Sequence, residues 1–242
     1  VSGVTMDNVT EFWVYFAAQP LMWIVVTLAI YTAALQLHRV AGFTPLLHPV
    51  LVSMSLLIGL LLLTETPYQT YFSGAQFIHF LLGPATVAIA VPLFDHFKTI
   101  RELWLPILLA CVVGAFSAAS IAVLVAWLFD ARIETLLSIA PKSVTSPIAL
   151  GISEKIGGYP ELSAALCLVT GVLGSLLVPS VLRLMRVEDQ ETRGFVLGLT
   201  SHGFGTALAL EVGALAGAFA GLAMGLTGLI TAIMLPLLAA LF

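Results

Sequence analysis

The chain has 242 residues, of which 60% are hydrophobic and only 9% charged, and nine basic against thirteen acidic side chains leave a net charge of −4. A soluble domain carries about 25% charged residues, so a water-soluble globule is excluded and a bilayer protein is indicated. No basic field exists for nucleic acid, which is excluded as a partner. Cys111 and Cys167 lie inside apolar stretches and read as small buried hydrophobes, not as a disulfide or metal framework. A basic n-region, a short apolar core and a small-residue cleavage site do not occur in order, so no signal peptide is expected.

A spanning helix needs about 20 apolar residues, because each residue rises 1.5 Å across some 30 Å of hydrocarbon. Residues 1–19 are expected to form an extramembrane or interfacial segment, followed by one membrane domain over 20–242. Spans are expected near 20–37, 46–64, 77–94, 103–128, 161–182 and 213–241. Segments 135–157 and 194–211 are too broken or too short to assign as spans. The fold class is all-α: a polytopic, transporter-like membrane protein with about six full spans plus re-entrant or broken half-helices.

Arg39, Lys98, Arg101, Arg183, Arg186 and Arg193 follow the first, third and fifth spans. Short basic loops stay cytoplasmic, which puts the N-terminus outside. The fourth span then emerges near Asp130 and the fifth returns at Arg183, so 135–157 enters and leaves by one face. Non-helical backbone at membrane depth survives only against protein or a water-filled cavity. A re-entrant segment therefore implies a polar interior.

Three breaks supply that interior. At Pro141-Lys142-Ser143-Val144-Thr145-Ser146-Pro147, Thr145 or Ser146 caps a helix whose first position Pro147 takes and which stops at Gly157-Gly158. Its positive end suits an anion, and Lys142 either adds a full charge or sits at the mouth of the segment as a solvated cation. At Thr200–Glu211, Gly203 and Gly205 let the backbone unwind, and Thr206 caps the short helix that follows. His202 and Glu211 are ionisable groups in apolar sequence and so functional candidates, although Glu211 also fits a plain helix end before Val212-Gly213. At His79–Pro92, Gly83-Pro84 predicts a kink or a full interruption.

Gly83-Pro84-Ala85-Thr86 and Gly203-Phe204-Gly205-Thr206 share Gly and Thr at one spacing 120 residues apart, and a competing 59-residue offset pairs Thr86 with Thr145. Both alignments suggest an internal repeat. Gly213, Gly217, Gly221 and Gly225 form a bare ridge on the last span, read as internal packing in preference to a subunit interface. No phosphate loop, zinc helix, paired Cys-x-x-Cys or nucleophile elbow occurs, so neither an enzyme nor a cofactor or metal is expected.

Leu82–Ala88, Pro141–Thr145, Ile156-Gly157-Gly158-Tyr159-Pro160 and Ser201–Ala207 with Glu211, in that order, resemble the LrgB/CidB family of membrane proteins from about residue 20 onward. The resemblance implies a small LrgA/CidA-like membrane partner and distant kinship with sodium/proton antiporters and bile-acid symporters. It implies two functions: carriage of small monocarboxylates (pyruvate, lactate, glycolate or glycerate), or holin-like and antiholin-like control of murein hydrolase export and cell lysis. It also implies a bacterial inner membrane, or a plastid inner envelope as the alternative.

The polar breaks favour the carrier among these expectations, since a lesion-forming bundle needs no such interior. In that reading amides after Ser146 and Gly205 hold the organic anion. Thr86, Ser143, Thr145 and Ser201 supply hydroxyls, with Lys142, Gly203 and Thr206 completing the site. His202 or Glu211 carries a coupling proton. A homo-oligomer is expected.

Overall fold

A computed structural model describes residues 20–42, 47, 49–88 and 90–240. The expected N-terminal segment 1–19 lies outside these. Among the described residues the secondary structure is helical, and the chain divides into two compact units, Val1–Val87 and Ala88–Phe242.

In the first unit, α1 (Pro20–Val40) packs against α2 (Pro49–Leu63) and α3 (Tyr68–Phe80), and α4 (Leu82–Ala88) follows. Trp23 of α1 is fully buried and meets the Tyr71 ring edge-on at 5.5 Å, while Thr27 Oγ1 lies 3.2 Å from the Tyr71 hydroxyl. The second unit contains α5 (Ala90–Asp95), α6 (Phe97–Glu102), α7 (Trp104–Leu128), α8 (Ile133–Ile139), α9 (Ser146–Ile156), α10 (Pro160–Leu184), α11 (Gln190–Val212) and α12 (Ala214–Ala239).

Among the described residues five helices, α1, α7, α10, α11 and α12, are long and apolar enough to cross a membrane. Two expected spans fail, each for a chain-breaking reason. Within the 46–64 segment the described helix is the 15 residues of α2, about 22 Å at 1.5 Å per residue. It ends where Glu65 turns left-handed (φ 51°) and Pro67 follows. The 77–94 segment is divided among α3, α4 and α5. Pro84 and Pro92 each fall at the third residue of a new helix, as Pro106 does in α7. A first-turn amide has no intrahelical partner to lose, so the helix restarts where the proline costs least.

The 194–211 segment, left without a span from sequence, belongs to the 23-residue α11. Glu191, Arg193 and Glu211 shorten its charge-free stretch, but they sit in its end turns. Asp189 caps the start, accepting a hydrogen bond from the Thr192 amide at 3.0 Å. In 135–157, α8 and α9 have seven and eleven residues and are separated by a turn over 140–145.

The longest contact in the second unit is between α11 and α12. Cβ atoms at Gly194 and Gly198 would land on the carbonyls of Ala216 and Ala220, so the two backbones touch where only glycine fits. The N-terminal part of the α12 ridge packs internally, Gly213 against Gln190 and Gly217 against Leu210 of α11, whereas Gly225 faces open space. On its other side, α12 places Phe219 with Ile107 and Cys111 of α7 in a buried cluster.

Candidate functional site

The two chain breaks of the second unit meet on one face of α10. Ala164, Cys167, Gly171 and Gly174 recur at helical spacing of three and four residues, so they line a single stripe of small side chains. Against the stripe's N-terminal part lies the 141–146 turn. Cys167 Sγ donates to the Pro141 carbonyl at 3.5 Å, and Ser146 Oγ donates to the Ala164 carbonyl at 3.4 Å. Further along, the α11 break packs in: Ser201 fills the space beside Gly174, and His202 with Phe204 covers Gly171.

His202 is the break itself. Its φ of 41° and ψ of −119° interrupt α11, and its side chain is only 4% exposed. A non-glycine residue in that region costs of order 1–3 kcal/mol and persists only where its surroundings hold it. Its Nε2 has no hydrogen-bond partner. Thr206 does not cap an amide as expected; its hydroxyl donates to the His202 carbonyl at 2.8 Å.

Gly205 is required for space, because a Cβ there would meet the Leu197 carbonyl, but Gly203 is exposed with nothing within 4 Å. Glycine therefore tightens this break, while the strained dihedral falls on His202. At the other break, Thr145 occupies the N-cap position of α9 in extended conformation without a side-chain cap bond, and Pro147 sits in the first turn. Gly157 ends α9 in the left-handed conformation (φ 87°), with the Gly158 amide bonded to the Ser153 carbonyl at 2.9 Å. Lys142 and Ser143 are half-buried, and Lys142 Nζ donates to Ser143 Oγ at 3.1 Å.

The structure thus brings the 141–146 turn, through Pro141 and Ser146, to the same α10 face as Ser201 and His202, whereas Gly205 packs against Leu197 of its own helix and the Thr206 hydroxyl also reaches Met224 of α12 at 3.7 Å. Glu211 is apart from them, exposed in the last turn of α11. Thr86 lies in α4, and its side chain is outside the described residues. The shared Gly and Thr spacing does not give one geometry: Gly83 opens a seven-residue helix, whereas Gly203 lies within a long one.

Sequence reasoning missed the stripe, although its three-and-four spacing of small residues was there to read. It also missed a buried hydroxyl cluster. Ser138 Oγ accepts from the Tyr159 amide at 2.7 Å, Ser163 Oγ donates to the Ser138 carbonyl at 2.8 Å, and the buried Ser153 Oγ is unpartnered. These bonds tie α8 and the end of α9 to the start of α10. Among the described residues no group of three His, Cys, Asp or Glu gathers as a metal site.

The LrgB-like family matches residues 27–241. YwbG of Bacillus subtilis, described as uncharacterized, is 36% identical over 78% of this chain and 84% of its own. The holin-like protein CidB of Staphylococcus epidermidis is 28% identical over 93% of this chain and 97% of its own. The antiholin-like protein LrgB of Bacillus mycoides is 31% identical over 90% and 95%. No solved structure matches. The names of the last two relatives overturn the expectation of a monocarboxylate carrier: they support the lysis-regulating alternative and lend no support to carriage of pyruvate, lactate, glycolate or glycerate. Five membrane-length helices and these bacterial relatives make the protein an integral bacterial membrane protein. With that match running over residues 27–241, the chain belongs to the LrgB-like family.

Proposed function

We propose that this chain is a holin-like or antiholin-like membrane regulator that controls murein hydrolase export and cell lysis together with a small LrgA/CidA-like membrane protein. The observation that carries the reading is similarity over at least nine-tenths of the chain to relatives so named. Its work is regulatory, not enzymatic.

A regulator of this kind needs an element with two arrangements, and the α11 break has the physical character of one. His202 holds strained backbone, and its buried Nε2 lacks a partner. Rearrangement of the turn would release strain and re-pair the ring, so a partner helix that binds one arrangement better shifts the population toward it. Ser143, Thr145, Ser146, Ser201 and Thr206 supply the hydroxyls lining this switch, with Lys142 at its edge, and α8–α9 forms a re-entrant hairpin beside it. Glu211 lies outside that lining.

The test is expression of the full chain in a bacterial host lacking its own LrgB-like and LrgA-like proteins, with and without the small partner. Murein hydrolase activity in the medium, read on murein-containing gels, is expected to change when the two are present together. A rise marks the holin-like role and a fall the antiholin-like one. No change in either strain overturns the reading.

A further inference from the structure

Beside the C-terminal half of α7 runs an apolar groove of about 390 Å³, lined by Ala118, Ile121, Ala122 and Val125 with Ile139 and Lys142 from the α8 side. The volume falls within the range of about 300–1,000 Å³ typical of ligand pockets. Ile121 is 61% exposed and Val125 47%, so the groove opens on the outside of the second unit. Because α7 is long and apolar enough to cross a membrane, a groove on its outer side opens toward lipid once the helix spans.

Lys142 is the one charged residue in the lining. A merely solvated lysine would reach for water with its stem on apolar surface. Here the residue is half-buried, its Nζ turns to the Ser143 hydroxyl at 3.1 Å, and no carboxylate lies within ion-pairing distance of it among the described residues. The nearest acidic side chain in sequence, Glu134, is paired with Arg132 at 3.4 Å. A cation in an apolar setting is stable only with an anion or water against it.

We propose that this groove binds an anionic phospholipid, its acyl chain along Ala118–Val125 of α7 and its phosphate against Lys142. An acyl chain matches the groove's apolar wall, and the headgroup supplies the missing negative charge; basic pockets between membrane helices hold anionic lipid headgroups in this way. Lys142 belongs to the 141–146 turn that packs beside the α11 break, so the lipid site adjoins the switch, but it does not rest on the lysis-regulating reading.

Native mass spectrometry of the full chain in detergent tests the assignment, with phosphatidylglycerol or phosphatidylcholine of identical acyl chains added. The wild type is expected to retain phosphatidylglycerol about fivefold more strongly, the factor expected from one lysine near an anionic headgroup. Lys142→Gln should abolish the preference, Lys142→Arg should keep it, and Ile121→Trp, which fills the exposed wall, should lower retention of both lipids. Displacement of bound phosphatidylglycerol by inorganic phosphate at millimolar concentration would mean a free-anion site and overturn the proposal. So would equal retention of the two lipids, an unchanged preference in Lys142→Gln, or a lipid-free dimer that Ile121→Trp dissociates. If Lys142→Gln fails to fold, the arginine and tryptophan variants still decide the outcome.

Discussion

The ring of His202 lies directly over Gly171: a Cβ at residue 171 would fall 2.5 Å from His202 Cε1 and 2.6 Å from Phe204 Cδ2. A position on α10 therefore holds the break in α11. The missing side chain makes room for a ring that the strained backbone at His202 turns toward the bundle interior, where 4% of the residue is exposed. Strain of this kind endures only where packing over-determines it.

Gly171→Ala is expected to force the ring aside and cost about 1–3 kcal/mol, the usual penalty for overpacking. His202→Ala removes one of the two rings in the way, leaving Phe204, so the double variant should lose somewhat less stability than the sum of the two single variants. Thermal unfolding in detergent micelles measures all three, and strict additivity would refute the contact.

Small residues also decide how closely α11 and α12 approach. Gly198→Ala puts a methyl group onto the Ala220 carbonyl and is expected to separate the helices, at a cost of about 1–3 kcal/mol. Gly225→Ala, where the new methyl meets nothing within 4 Å, should instead stabilise the helix by up to about 1 kcal/mol through propensity alone. Opposite shifts of the unfolding temperature are the expected result.

Asp189 gives one pH dependence whose sign is fixed. Its carboxyl accepts from the Thr192 side chain and amide, which holds it below the usual carboxylate range. A depressed folded value means the cap contributes fully above the unfolded value of about 3.9 and is lost as pH falls through the lower folded value. Asp189→Ala should cost about 1 kcal/mol near neutral pH. The difference from wild type should shrink on acidification, and Asp189→Asn should retain the cap without that pH dependence. Unfolding temperatures from about pH 7 to about pH 3 provide the check.

How much of this was legible depended on whether the signal was local. Pro147 and Gly157 mark the start and stop of α9 as expected, because proline in a first turn and glycine in a left-handed cap act through their own backbone. The break in α11 was visible from Gly203 and Gly205, but its location at His202 was not. There the distortion is held by Gly171 on another helix and by the Thr206 hydroxyl bonded back to the His202 carbonyl. Charge-free length misled twice: the 46–64 run is shortened by its ends, and α11 is lengthened by charged residues in its terminal turns.

The sequence by itself determined that this protein lives in a bilayer, since so few charges cannot solvate a surface of this length in water. It also determined where the backbone stops being regular, because proline and glycine act locally. Only the tertiary structure decided that the 141–146 turn and the α11 break share one face of α10, and that Lys142 lines an apolar groove. Those are contacts between residues distant along the chain, and they follow from which small side chains let helices approach.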